Sequence, residues 1–170
     1  LRSQMRYEIK RLHQLTGCTM VYVTHDQTEA TTLGDRIAIL NKGQVVQIDS
    51  AQNIYEKPTH LFVASFIGSP EINLIPGELI GMNKDELIGI RPEDIRIFPQ
   101  KTENTFEVKV DVQEYLGANC LLYAILSNKM MVRILTQNQM HFKNGQSIYI
   151  DFNLTRAIHF DKSSGRNKKA

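Results

Sequence analysis

The chain has 170 residues, 42% of them hydrophobic and 22% charged, an ordinary globular composition that excludes a mostly disordered protein. That length suits one domain, or two small ones of roughly 70 and 100 residues. No apolar run approaches the ~20 residues that cross a bilayer. The net charge of +2 is concentrated at one end: Lys162, Arg166, Lys168 and Lys169 against Asp161 put +3 on the last ten residues and leave residues 1–160 at −1. A body of that charge argues against nucleic acid as a partner, because phosphate binding needs a clustered basic footprint. The opening Leu1-Arg2-Ser3-Gln4 lacks the apolar core of a secretory signal, so a cytoplasmic protein is expected. Cys18 and Cys120 lie far apart in apolar surroundings without metal-like spacing, and two reduced, buried thiols are expected.

Leu1, Met5, Ile9, Leu12 and Leu15 recur at helical spacing, with Arg2, Arg6, Lys10 and Gln14 on the opposite side. Gly17 suits the left-handed position past a helix C-terminus. No capping residue or initiator Met precedes Leu1, so the sequence is expected to open inside this helix at a natural or experimental cut. Residues 18–24 (CTMVYVT) are β-branched and apolar without alternation, which predicts a strand buried on both faces, as in parallel α/β sheets. Asp26 and Glu29 form an Asp-x-x-Glu capping pattern, in which the Asp side chain accepts from first-turn N–H groups and the Glu reaches back, predicting a helix to about Gly34. Residues 36–40 and 44–48 read as a hairpin around Asn41-Lys42-Gly43, closing an α/β sheet. Residues 51–57 and 59–67 read as short helices separated by Pro58.

Turn-forming residues at Gly68-Ser69-Pro70 and Pro76-Gly77 place a domain boundary there, giving domains 1–67 and 68–170, the second ending in a frayed basic tail over 161–170. Beyond the boundary the period becomes two. Phe106, Val108, Val110 and Val112 alternate with Glu107, Lys109, Asp111 and Gln113, and Ile148, Ile150 and Phe152 with Ser147, Tyr149 and Asp151. Strands at 121–126 and 130–134 around Ser127-Asn128-Lys129, and a turn at Asn144-Gly145, complete a pattern of short antiparallel strands, best matched by an OB-like barrel.

One position looks chemical. His25 stands at the end of a predicted strand and directly before a helix N-terminus, where α/β sheets bind ligands and free N–H groups attract phosphate. An imidazole there can hydrogen-bond a phosphate oxygen or orient a water for attack on phosphorus.

Around this histidine the residues resemble a known family. Thr24-His25-Asp26-Gln27-Thr28-Glu29-Ala30, followed by Asp35-Arg36-Ile37, is similar to the switch, or H-loop, segment of ABC transporter ATPases. Leu1-Arg2-x-Gln4-Met5-Arg6, Phe66-Ile67-Gly68-Ser69-Pro70 and Gly89-Ile90-Arg91-Pro92-Glu93-Asp94 narrow the resemblance to importers of the maltose and glycerol-3-phosphate type. It covers essentially the whole chain. The resemblance implies the end of an ABC ATPase core, from the sheet of a P-loop NTPase, followed by an OB-like (TOBE-type) accessory domain. It further implies an ATPase subunit that dimerises beneath two membrane-spanning permease subunits on the inner face of the membrane and couples ATP hydrolysis, with Mg2+, to sugar import. By the same carry-over, His25 contacts the γ-phosphate and helps hold the attacking water, while the accessory domain pairs across the dimer and can receive a regulatory protein. Thr31 and Gly34 depart from the family's common Met and Ala, on the helix after the histidine.

The sequence contains no Gly-x-x-x-x-Gly-Lys-Ser/Thr loop and no acidic pair ending an apolar strand. The chain therefore resembles the C-terminal half of such a subunit and is expected to be inactive alone, with neither ATP nor a metal ion held by its own residues. Other features have plainer readings. Arg2, Arg6, Lys10 and Arg11 read as a solvated helix face, His13, His60, His141 and His159 lack partners at metal-ligand spacing, and Met130 and Met131 read as core. Arg91-Pro92-Glu93-Asp94 reads as a charged surface turn that could meet a partner. The competing functions are an OB-fold nucleic-acid binder, disfavoured by the charge of the body, and a small-ligand sensor, for which no nest of Gly, Ser and Arg is present.

Overall fold

The computed structural model describes residues 1–137 and 140–169. It divides into two compact units, Leu1–Ile67 and Gly68–Lys169. Residue 170, the last of the predicted tail, lies outside the described residues.

In the first unit, helix α1 (Arg2–Thr16) ends on Gly17, whose φ of 61° is the left-handed cap the sequence calls for, its N–H donating to the His13 carbonyl. No residue of α1 is buried, and Leu12 and Leu15 are 53% and 74% exposed. The predicted buried strand over 18–24 does not form: Val21 and Val23 are about nine-tenths exposed, and no sheet includes this segment. The physical reason is that a β-branched run becomes a strand only when neighbouring strands supply its ladder and cover its faces. Cys18, expected to be buried, is exposed for the same reason, whereas Cys120 is buried.

After helix α2 (Gln27–Leu33), strands β1 (Ile37–Asn41) and β2 (Gln44–Asp49) form a two-stranded antiparallel hairpin rather than the closing edge of a larger sheet. Its turn residues are Lys42 and Gly43, with φ of 49° and 77°, while Asn41 remains in β1 and pairs with Gln44. Two consecutive positive φ values match the right-handed twist of the flanking strands. Helices α3 (Ala51–Glu56) and α4 (Leu61–Phe66) pack on this hairpin, and Ile37, Ile39, Ile54, Val63 and Ile67 make a small core. Gln47 is buried on β2, where an apolar residue would ordinarily stand. Its amide donates to the Lys57 carbonyl at 3.2 Å and its carbonyl accepts from the Thr59 N–H at 2.9 Å, so one side chain satisfies the backbone on both sides of Pro58.

The second unit is mainly antiparallel β, as the alternation predicts. Strands β3 (Asn73–Pro76) and β4 (Glu86–Ile90) pair with β10 (Ile158–Asp161) in the order β10-β4-β3. Strands β5 (Ile95–Phe98), β6 (Phe106–Tyr115), β7 (Asn119–Leu126), β8 (Met131–Gln137) and β9 (Ser147–Phe152) form a five-stranded sheet in the order β5-β9-β6-β7-β8. Ile75, Ile88, Ile90, Val108, Val110, Leu122, Ile134 and Ile150 are among the residues of one continuous core drawn from both sheets. The alternation fails at one place. A bulge at Asp111 sets Val110 opposite Ala124 and Val112 opposite Tyr123, so Val112 is 47% exposed instead of buried and Gln113 takes the inward side. Gln113 then donates to the Met140 carbonyl at 2.8 Å and accepts from the Phe142 N–H at 2.9 Å, while the Asp111 carbonyl accepts from the Asn144 side chain at 2.6 Å. Met130 packs against the core, but Met131 faces outward, 40% exposed.

Asn73 links the two sheets. Its side-chain oxygen accepts from the Arg133 N–H at 2.7 Å, and its amide donates to the carbonyls of Arg133 at 2.8 Å and Ile90 at 3.3 Å. A carboxamide on an edge strand thereby pairs with the open edge of β8 as a backbone peptide would. Replacing Asn73 by Leu strands a buried N–H and C=O, and we predict a loss of about 2–4 kcal/mol from the two unmade partners, measured by urea denaturation of the chain.

The C-terminal segment is not frayed. Asn167 bridges to Phe160, and the Lys168 ammonium donates to Glu86 at 2.6 Å, whose other oxygen is 2.9 Å from His159 Nδ1. The Asp161 carboxylate accepts from Ser163 and Ser164, which folds the intervening turn and holds that carboxyl well below its usual range. The hydrogen bond from Lys168, then that from His159, lowers the Glu86 pKa from its ordinary 4.5, and Glu86 raises that of Lys168. A depressed carboxyl contributes stability that is present above its unfolded pKa and lost as pH falls through the folded one. We therefore predict that the stability difference between wild type and Glu86→Gln is constant near neutrality and shrinks as pH falls below 4.5, read from Tm against pH.

Candidate functional site

The segment carrying His25 is built by its neighbours. Asp26 caps α2, its Oδ1 accepting from the Glu29 N–H at 3.1 Å. That hydrogen bond, joined by the Thr28 N–H and the charge of Arg2 at 3.5 Å, keeps the Asp26 carboxyl below its usual range. The cap agrees with the sequence pattern, but its reciprocal half does not. Glu29 leaves the Asp26 N–H to the Thr24 hydroxyl, which accepts it at 3.0 Å and in turn donates to Glu29 Oε2 at 2.7 Å. The same carboxylate oxygen accepts from the Tyr22 hydroxyl at 3.3 Å, and Glu29 is buried. Partial burial, then the Glu29 charge, pushes the Tyr22 pKa up. On the far side, the Gln27 side chain donates to the Phe66 carbonyl.

The chain bends at His25, between these anchored residues, and the imidazole is exposed. An exposed ring on a tethered bend can meet a ligand without first shedding a protein partner. Sequence reasoning missed Thr24 and Tyr22 as parts of the site. The available signal was a hydroxyl residue two positions before the capping Asp, the spacing of a side-chain to backbone turn.

The remaining candidates do not join His25. Among the described residues, no group of three or more His, Cys, Asp or Glu side chains could hold a metal ion. His60 caps α4 by accepting from the Phe62 N–H at 3.0 Å, and His159 belongs to the Glu86 clasp. The turn at Arg91-Pro92-Glu93-Asp94, expected to be a charged surface, is largely interior: Arg91, Pro92 and Asp94 are buried and only Glu93 is exposed. Asp94 pairs with Arg156 at 3.3 Å, and burial outweighs that pairing to push its carboxyl pKa up. The second unit has an open cleft of about 560 Å³ beside Arg96, Phe106 and Asp151, and the first unit one of about 460 Å³ along Arg6, Lys10 and Gln14, whose lining does not include His25.

Residues 88–160 match the TOBE domain family, here of the second type. Those residues carry a TOBE domain, and the chain is similar to part of ABC transporter ATP-binding proteins. It is 38% identical over 187 aligned positions to the uncharacterized ABC transporter ATP-binding protein YcjV of Escherichia coli, covering 95% of this chain and 51% of that protein. Against the sn-glycerol-3-phosphate import ATP-binding protein UgpC of Brucella abortus it is 42% identical over 142 positions, 75% of this chain and 40% of that protein. The TOBE-bearing chain thus spans about half the length of the curated relatives it matches. Among solved structures, the cytoplasmic molybdate-binding protein ModG aligns with 44% of this chain and 60% of its own, at 10% identity and a TM-score of 0.39. No helix among the described residues is long and apolar enough to cross a membrane.

The different exposure of the two thiols has a direct readout. In the native chain Cys18 is expected to react with a thiol reagent at the rate of a free cysteine, while Cys120 reacts only after denaturant is added. Two equally protected thiols would contradict the exposed 18–24 segment.

Proposed function

We propose that this chain is the C-terminal part of an ATPase subunit that couples ATP binding and hydrolysis to solute import, and that His25 is its contact to the γ-phosphate. The observation that carries the reading is the exposed imidazole on a bend fixed from both sides. Similarity to ABC transporter ATP-binding proteins over 95% of the chain supports it. The similarity to a glycerol-3-phosphate import protein supports a sugar or a glycerol-phosphate-like compound as the solute. In this reading domain 1–67 completes the ATPase core and 68–170 is a regulatory β-domain. The partners are a second ATPase subunit, the membrane-spanning permeases that hold the subunit at the inner face of the membrane, and a regulatory protein received by the β-domain.

The residues present fit only a fraction of a nucleotide site. ATP with Mg2+ supplies the phosphoryl group and the charge to be stabilised, and phosphoryl transfer depends on a phosphate-cradling loop, its Lys and carboxylate-held metal. This chain offers one imidazole, and the α2 N–H groups beside it are partly taken by Asp26. What His25 can do is donate or accept one hydrogen bond at its exposed ring nitrogen, orienting an oxygen that must be held by residues outside the chain. The bare apolar face of α1 and the unpaired run at 18–24 fit the same reading, since in a complete core both would pack against sheet and helices.

Two outcomes are expected. In the full-length subunit with its permeases, His25→Ala lowers ATP turnover by about 10²-fold or more, the scale for losing a positioned polar or proton-transfer group. Turnover within threefold of wild type overturns the assignment. In calorimetry, the 170-residue chain alone shows no binding of Mg-ATP below about millimolar concentration, because one or two hydrogen bonds leave the triphosphate better solvated by water. A micromolar signal abolished by His25→Ala would place a nucleotide site within this chain.

A further inference from the structure

We infer that Thr24 and Glu29 are positioning residues for His25, forming a half-buried relay that sets where its imidazole is presented; the inference rests on the reading of His25 above. An Asp-x-x-Glu capping box would hold α2 by itself and would leave Thr24 with no task. The geometry differs from that box. The Asp26 N–H donates to Thr24 Oγ1 at 3.0 Å, and the Thr24 hydroxyl donates to Glu29 Oε2 at 2.7 Å. Glu29 also takes the Tyr22 hydroxyl at 3.3 Å, and its own N–H is held by Asp26 at 3.1 Å.

These bonds close a ring through residues 24, 26 and 29, with His25 lying between two of its members. A single hydroxyl both accepts and donates, so the ring opens if Thr24 loses its oxygen. The carboxylate that anchors the ring is 8% exposed, on a helix that cannot shift without breaking its cap. Burial of the Glu29 carboxylate makes its bonds stiffer than they would be in water, because a released oxygen finds few replacement partners. The exposed ring is consequently aimed by a protected frame beneath it. Glu29 and Thr24 do not meet the phosphate; they fix the backbone from which the imidazole projects. For a residue that contributes one hydrogen bond to a reacting oxygen, a displacement of about 1 Å is enough to cost up to 10²-fold in rate.

The test compares Thr24→Val, Thr24→Ser and Glu29→Gln in the full-length subunit with its permeases. Val keeps the shape and β-branching of Thr and removes the relay, while Ser keeps the hydroxyl. The expected result is a fall in kcat of about tenfold for Thr24→Val, with KM for ATP within twofold of wild type, recovery to within threefold in Thr24→Ser, and a loss of about three- to tenfold in Glu29→Gln. Turnover within twofold of wild type in both Thr24→Val and Glu29→Gln, alongside an inactive His25→Ala, overturns the positioning role and leaves the reading of His25 standing. A loss in Thr24→Val that Thr24→Ser does not recover, or that follows a fall in Tm with KM rising in step, also overturns it. Hydrogen exchange on the 170-residue chain separates the frame from its use: the Asp26 amide should exchange about tenfold faster or more in Thr24→Val, and an unchanged rate removes the relay itself. Full turnover in His25→Ala with the exchange effect intact overturns the role of His25, and the positioning role with it, while leaving the frame in place.

Discussion

An open sheet edge must find partners for its N–H and C=O groups, and in the second unit that requirement falls on one side chain. Asn73 meets both backbone groups of Arg133 and the carbonyl of Ile90. It thereby joins the edge of a three-stranded sheet to the edge of a five-stranded one. Glu71, two residues earlier, pairs with the Arg133 side chain at 3.6 Å, so the entry to the β unit is fastened at the same residue. The core between the sheets is aliphatic and non-directional. Such a core fills space well but does not choose the angle or register at which two edges meet, whereas a carboxamide with donor and acceptor in fixed places does. Phe160 on β10 is fully buried, and its ring reaches over Gly89 on β4, the register partner of Ile158, where a Cβ would stand 2.9 Å from both the Phe160 ring and Ile72. Directional and steric specification thus meet within a few residues of one strand.

The first unit is organised differently. Its covered core is small, built from the hairpin and two short helices, and Gln47 fastens the backbone around Pro58 from within. The polar side chains carry most of the local order: Asp26, Ser50 and His60 each cap a helix. Caps and turns form from local sequence and need no distant partner. The His25 bend benefits from the same logic, because the hydrogen-bonded ring beneath it is drawn from residues 22–29.

Much of this was legible in the sequence wherever local chemistry decides conformation. Gly17, the Asp26 cap and the strands at 106–110 and 147–152 follow from capping rules and from period-two alternation, and the structure has each of them. What the sequence could not carry depends on context. The run at 18–24 has every property of a buried strand except neighbours, and its exposure follows from that lack. The charged turn at 91–94 looked like surface because three of its residues ionise, yet Arg91 and Asp94 are covered. The terminal Lys-rich segment looked frayed because one of its partners, Glu86, lies 82 residues away. At the candidate site, His25 stood out by position and motif. The relay beneath it did not, because a Glu three residues after an Asp cap has two hydrogen-bonding options and only the fold selects between them.

The bulge at Asp111 ties together two features that are usually free to vary apart. Turning Gln113 inward gives the segment after β8 its anchors at Met140 and Phe142, and the extra residue supplies the carbonyl that holds Asn144. Removing Asp111 would close the bulge while leaving Val112 opposite Tyr123 and Gln113 opposite Leu122, and would take away the carbonyl that holds Asn144. The ladder would become regular while the loop lost its anchor at Asn144. A length change in β6 therefore has to be matched by a compensating change some thirty residues later, so the two segments are constrained to vary as one piece.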